Sequence, residues 1–188
     1  MASAEEVVDL IDEEDRVIGR ARRRQVRARN LLHREVAALV RNRRGEVYVH
    51  RRTATKDIYP SLYDMFVAGV VTSGEAYEEA IRRELNEELG IDRAEPALLF
   101  MHRYDRPDNN FLAAIFEVRW EGPVHPQPEE IAWGEFVPER RLTALIGEQA
   151  FVPDGLEVFR RYLEARTSKG PDGLDQRGLR VDRPRIRG

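Results

Sequence analysis

Residues 69–91 read GVVTSGEAYEEAIRRELNEELGI and set four acids and an arginine at fixed spacing between two glycines. Gly69 is followed six residues later by Glu75, and Arg83, Glu84, Glu87 and Glu88 come before Gly90. Carboxylates this close along a chain repel one another, and a carboxylate drawn out of water must be paired or bind a cation. Three hard oxygen donors within one helical turn, Glu84, Glu87 and Glu88, suit Mg²⁺ or Mn²⁺, and a chain with no cysteine offers no thiolate to a softer metal. The plain alternative is a solvated helix with Glu78–Arg82 and Glu79–Arg83 as i,i+4 pairs, worth about 0.3–0.5 kcal/mol each. That alternative accounts for those four residues. The expectation for Glu84, Glu87 and Glu88 is a crowded edge with no basic partner at i±4.

A helix must carry these acids. Thr72 or Ser73 is its expected cap, Thr72-Ser-Gly-Glu75 fits a capping box, and Gly90 supplies the stop. At about 100° per residue, Tyr77, Ile81, Leu85 and Leu89 fall on one apolar stripe, while Glu79, Arg82 and Asn86 face water. Glu84 and Glu88 project between Ala80 and Ile81 on the margin of that stripe, with Glu87 just beside them.

Seven fixed residues and two aliphatic positions would coincide in a chain of this composition with a probability on the order of 10⁻⁶. The segment resembles the Nudix box, G-x5-E-x7-R-E-U-x-E-E-x-G-U with U aliphatic, and matches it at every defined position. The resemblance implies an α/β fold, the Nudix α/β/α sandwich with a mixed β-sheet, whose loop–helix–loop holds Mg²⁺ or Mn²⁺ against a diphosphate. It implies Glu84, Glu87 and Glu88 as metal ligands, and Gly69 as the point where backbone approaches the metal. Glu75 would support the metal helix through Arg83. Catalysis would be attack of a metal-activated water on phosphorus, with Glu87 or Glu88 as the base; a carboxylate from a later loop, Glu129 or Glu130, is the alternative. The substrate would be a small-molecule diphosphate, a nucleoside diphosphate derivative such as a nucleotide or a nucleotide sugar. A Nudix domain that binds a nucleotide without cleaving it stays open as a second function.

The residues before the box are similar to the branch that includes isopentenyl-diphosphate isomerases and their hydrolase-like relatives. The similarity lies in the hairpin DLIDEEDRVIGRA, in His33-Arg34 entering a strand, and in Arg51-Arg52-Thr-Ala-Thr-Lys56. It implies that Arg52, Lys56 and Arg83 contact the substrate phosphates. The plainer role for Arg52 and Lys56 is as loop charges. Isomerase chemistry needs a cysteine just before the box glycine and a histidine after it, where this chain has Val67-Ala68 and Val70. An isoprenoid-diphosphate-related activity is therefore the lesser alternative. His33, without partners, reads as structural, and His50, His102 and His125 carry no assignment.

Composition bounds the remaining classes. A chain of 188 residues has room for one sizeable core, expected over 1–166 with the hairpin 7–21 included. The Gly-, Pro- and Arg-rich stretch 167–188 reads as a flexible tail. No apolar run is long enough for a membrane span and MASAEEVVDL is not a signal peptide, so a cytoplasmic location is expected. Thirteen arginines against Glu35 and Glu46 between Arg16 and Arg52 raise nucleic-acid binding. Against it, arginine replaces lysine throughout, with 29 Arg to two Lys, and Tyr48 alone offers an aromatic ring there. A positive rim that draws in polyphosphates is the preferred reading. A homodimer is left open.

Strands are expected at Val7–Ile11, Val17–Ala21, Val36–Val40, Glu46–Arg51, Met65–Val71, Ala97–Arg103, Phe111–Trp120 and Ile131–Val137. A short helix or loop is expected at Arg23–Leu32, a long loop at Thr53–Asp64, a Pro-rich connection at Gly122–Pro128, and helices near Pro138–Ile146 and Asp154–Arg166.

Overall fold

Val36–Val40 is apolar without alternation, which suits a strand covered on both faces, and in the computed structural model it forms the centre of the sheet. The structure describes residues 4–56 and 58–168. In chain order the strands are β1 (Val7–Ile11), β2 (Val17–Arg22), β3 (His33–Arg41), β4 (Val47–Arg52), β5 (Tyr63–Asp64), β6 (Phe66–Val70), β7 (Ala97–Asp105), β8 (Asn110–Arg119) and β9 (Ile131–Val137). The helices are α1 (Arg23–Arg29), α2 (Tyr77–Leu89), α3 (Glu139–Glu148) and α4 (Pro153–Ser168).

The sheet is mixed. β3 runs parallel to β8 from His33↔Phe111 to Arg41↔Arg119 and antiparallel to β6, with Val36 opposite Gly69. β7 pairs with β8, and β9 and β5 pair with β4. β3 and β4, consecutive in sequence, meet only at Arg41↔Val47, so their turn joins two parts of the sheet rather than closing a hairpin. The hairpin β1–β2 turns at Asp12–Asp15 and touches β3 at Leu10↔His33.

Helix α2 packs its stripe on this frame. Tyr77, Ile81, Leu85 and Leu89 are buried with Val36, Ala38, Val67 and Phe116 in one apolar cluster. Glu79, Arg82 and Asn86 are exposed, as the periodicity predicts. The helix starts later than expected, with Ala76 as N-cap and the Glu79 carboxylate accepting from the Ala76 N–H at 3.0 Å. Thr72 and Ser73 do not cap it. Their hydroxyls donate to Glu6 and Asp9 of the N-terminal segment at 2.6 Å each, and Thr72–Glu75 forms a separate turn. Gly90 ends the helix at φ 66°, a left-handed conformation that costs glycine little.

The chain through Val152 forms one compact unit, and a second begins at Pro153 with α4. In α4, Val158 and Tyr162 of the expected stripe are buried and Leu163 is half-buried. α4 runs to Ser168, so the first two residues of the expected tail are helical; residues 169–188 lie outside the described residues.

Candidate active site

Gly69 and the acidic edge of α2 face each other across a narrow gap. A Cβ built on Gly69 would run into the Glu84 carboxylate, so this glycine is required for space and not for an unusual backbone angle. Glu84 and Glu88 are buried, at 5% and 8% exposure, whereas Glu87 is exposed. Burial lifts the Glu84 carboxyl to about 7, against the pull of Arg83 and with a further push from Glu87. Burial, and then the Glu84 charge, lift Glu88 to about 8.

Behind this edge stands a guanidinium clamp. Arg83 donates from Nε and Nη2 to the two oxygens of Glu75 at 2.9 Å each, from Nη2 to the Val70 carbonyl at 3.1 Å, and from Nη1 to Glu84 at 2.6 Å. These bonds, Glu75 foremost, hold the Arg83 pKa above its ordinary value. Burial would raise the Glu75 carboxyl, but Arg83 and the Thr72 N–H hold it below the usual range. Two expectations are corrected here. Arg83 turns to Glu75 and Glu84 instead of pairing with Glu79, because the fork fits one carboxylate with two parallel bonds. Glu87 does have a basic residue four positions before it, Arg83 itself, at 3.7 Å.

A cavity of about 320 Å³ opens on these groups and is lined by Gly69, Glu84, Glu87, Glu88, Lys56 and Glu130, among others. Lys56 forms a buried ion pair with Glu130, and the loop that carries it is tied down by the Thr53 N–H and hydroxyl donating to the carbonyls of Glu130 and Glu129 at 3.0 and 2.9 Å. Glu129 also lines the cavity. Arg52 stands off the cavity wall: its Nη2 donates to the Ile58 carbonyl at 3.1 Å and its Nε is buried without a hydrogen-bond partner.

Gln127 is a residue that the sequence did not single out. The Pro-rich connection closes over the end of α2, with the N–H groups of Gln127 and His125 donating to the carbonyls of Glu88 and Leu89 at 2.8 Å each. This cover puts the side chain of Gln127 on the cavity, where its Oε1 is buried with no hydrogen-bond partner. No sequence pattern marks that contact.

As they stand, no three carboxylates or imidazoles among the described residues converge on one point, and Glu84 is turned to Arg83. The donor set nonetheless fits a divalent cation. Two buried carboxylates, an unpartnered amide oxygen and a backbone cleft kept open by glycine are what a hard ion would satisfy.

The histidines lie apart from this chemistry. His33 is buried and bonded to the Leu31 carbonyl at 3.0 Å and to Glu35 at 3.2 Å. His50 stacks on Tyr48 and is pushed down to about 3 by burial and then by Arg52 and Lys56. Much of the arginine-rich stretch is matched by acids: Arg16 with Asp12 at 2.7 Å, Arg34 with Asp15 at 2.6 Å and Arg44 with Glu46 at 2.7 Å.

The family model of the NUDIX domain matches residues 31–162. The Nudix hydrolase SCO1686 of Streptomyces coelicolor is 48% identical over 176 residues, covering 93% of this chain and 97% of that protein. The crystal structure of DR0079 from Deinococcus radiodurans superposes with a TM-score of 0.73 at 32% identity, over 83% of this chain and 98% of that one. The NUDIX domain of Shewanella oneidensis NrtR, solved in complex with ADP ribose, shares the fold at a TM-score of 0.54 and 12% identity, over 70% of this chain and 86% of that one. With the glycine cleft, the acidic edge and its arginine clamp in place, this chain belongs to the Nudix family and is a Nudix hydrolase, an enzyme acting on acid anhydrides.

Proposed function

We propose that the enzyme is a Mg²⁺- or Mn²⁺-dependent hydrolase that cleaves a diphosphate linkage in a nucleoside diphosphate derivative, a nucleotide or a nucleotide sugar. The observation that carries this reading is the burial of Glu84 and Glu88 on the cavity that Gly69 keeps open. Glu84, Glu87, Glu88 and the Gly69 backbone would hold the metal. When bound, it would neutralise the diphosphate, lower the pKa of the attacking water and stabilise the leaving oxygen.

The chain's own groups complete the reaction. Lys56, on the cavity wall, would bind and orient the phosphates, while Arg52, off that wall and donating to the Ile58 carbonyl, would add positive charge at longer range. Arg83 has its donors committed to Glu75, Val70 and Glu84, so its principal role is to fix the helix, and phosphate contact comes second. Glu87 or Glu88 takes the proton of the attacking water. Both line the cavity in which that water would sit, Glu88 buried on its wall and Glu87 exposed beside it. Glu130 is paired with Lys56 and serves to place it.

Glu87→Gln and Glu88→Gln, each assayed by phosphate release from a panel of nucleoside diphosphate derivatives with Mg²⁺, test the assignment. Each is expected to lower turnover by at least about 10²-fold. Near-normal rates for both would overturn it. Ligand-induced stabilisation of the natural protein without turnover would instead identify a nucleotide-binding domain.

A further inference from the structure

Gln127 joins two parts of the site through its main chain. Its N–H donates to the Glu88 carbonyl at 2.8 Å, and its own carbonyl accepts from the N–H groups of Glu130 and Ile131 at 3.0 and 2.9 Å. The residue is thereby fixed between the last turn of α2, which carries the acidic edge, and Glu130, which holds Lys56. Its side chain lies on the cavity and makes no hydrogen bond among the described residues, and its Oε1 is buried.

A buried amide oxygen without a donor is a cost that a half-buried glutamine could avoid by turning outward. Filling space does not account for it, since an apolar side chain would cover the end of α2 without burying a polar atom. Nor do nearby cations supply the donor: Lys56 is paired with Glu130, and Arg83 is spent on Glu75, Val70 and Glu84. The same cavity is lined by five carboxylates, Glu84, Glu87, Glu88, Glu129 and Glu130, which accept and do not donate when ionised. An acceptor set among acceptors is satisfied by a cation. The choice of amide over acid also matters. A glutamate here would add a sixth negative charge to a wall that must admit a diphosphate. An amide offers oxygen without charge and keeps two N–H donors for an anion.

We propose that Gln127 is a ligand shared by cation and substrate: Oε1 gives the divalent ion a neutral oxygen alongside Glu84 and Glu88, and the Nε2 protons hold an oxygen of the diphosphate. This rests on the metal-dependent reading above and deepens it, because one residue then ties the placing of the cation to that of the phosphate. Held by main-chain bonds on both sides, the amide needs little reordering to serve both. A glutamate in its place keeps the oxygen and loses the donors, which separates the two contacts.

The test uses the full-length protein and two probes: Mn²⁺ alone, and methylenediphosphonate, an uncleavable diphosphate, with saturating Mg²⁺. Calorimetry is expected to show Mn²⁺ affinity about tenfold lower in Gln127→Leu and undiminished in Gln127→Glu. The diphosphonate should bind at least about tenfold more weakly to both variants. A glutamine acting only as cover for the end of α2 predicts natural Mn²⁺ affinity in both. Gln149→Leu, at an exposed position off the cavity, should match the natural protein in both titrations. Natural Mn²⁺ affinity in Gln127→Leu, or natural diphosphonate affinity in Gln127→Glu, would overturn the shared ligand. Should Gln127→Leu not fold, the split in Gln127→Glu between cation kept and diphosphonate lost decides the matter alone. If the natural protein takes up no Mn²⁺, the metal reading falls and the shared ligand with it; uptake that Gln127→Leu leaves unchanged removes the shared ligand only.

Discussion

Gly69→Ala is the sharpest test of the site's geometry. The added methyl would occupy the space of the Glu84 carboxylate, meeting its carboxyl carbon and both oxygens. Glu84 is buried and held by Arg83 Nη1 at 2.6 Å, so it cannot swing away freely. Overpacking of this kind costs about 1–3 kcal/mol, and loss of one charge-assisted hydrogen bond adds about 1.5–3 kcal/mol. A destabilisation of about 3 kcal/mol is expected, with turnover down at least about 10²-fold because Glu84 is moved off its position. The decisive measurement is a double-mutant cycle with Glu84→Ala, read by urea unfolding. Once the carboxylate is gone the methyl has room, and alanine on a strand restricts the unfolded chain more than glycine does. Gly69→Ala in that background should cost less than about 0.5 kcal/mol, a coupling of about 2 kcal/mol or more. An equal cost in both backgrounds would refute the claim that Gly69 exists to make room for Glu84.

Arg83→Lys keeps the charge but loses the fork that spans Glu75, Val70 and Glu84, and it should lower stability by about 1–3 kcal/mol; an unchanged melting temperature would show that the clamp contributes nothing. Asp64 gives a pH prediction. Burial lifts its carboxyl from 3.8 to about 6, against Arg52, the Phe66 and Met65 N–H groups and Lys56. Between those values the folded protein holds a proton that the unfolded chain does not. This contribution is therefore present below about 3.8 and lost as the pH rises through 6, by at most about 3 kcal/mol. Neighbouring His50 has the opposite sign, staying neutral in the fold and losing stability on acidification below about 6.5. The comparison of Asp64→Asn with the natural protein leaves His50 in both, and the variant should gain in relative stability between pH 4 and pH 8; a constant difference in urea unfolding across that range refutes it.

The parts of this fold legible in the sequence are those fixed by local periodicity. The stripe Tyr77–Leu89 and the uninterrupted apolar run of β3 each state which side must be dry, and the structure buries them accordingly. Gly90 is legible because a left-handed stop has few alternatives. What failed depended on distant partners. Thr72 and Ser73 have the chemistry of caps, but Glu6 and Asp9 claim their hydroxyls, and the helix waits until Ala76. Arg83 had two acids in reach at helical spacing, and its choice of Glu75, eight residues back, is set by the turn that swings Glu75 against the helix. The short strand β5 hides in a stretch expected as loop because two residues show no alternation; it is defined by its pairing with His50 and Arg51 of β4. The same limit hid Gln127, whose place follows from where a Pro-rich connection lands.

The clamp also bears on how the acidic edge works. Arg83 binds Glu75 through Nε and Nη2, and reaches Glu84 through Nη1. A cation taking Glu84 would therefore compete with Nη1 alone, and the two bonds to Glu75 would stay in place to hold α2. Freed from Glu84, Nη1 would have Glu87 at hand, 3.7 Å away on the next turn. The guanidinium thus offsets the charges of Glu75, Glu84 and Glu87, and under the metal assignment proposed above it would yield Glu84 at the loss of a single contact. A lysine at this position would have to abandon Glu75 to follow Glu84, which is the physical reason for an arginine between these acids.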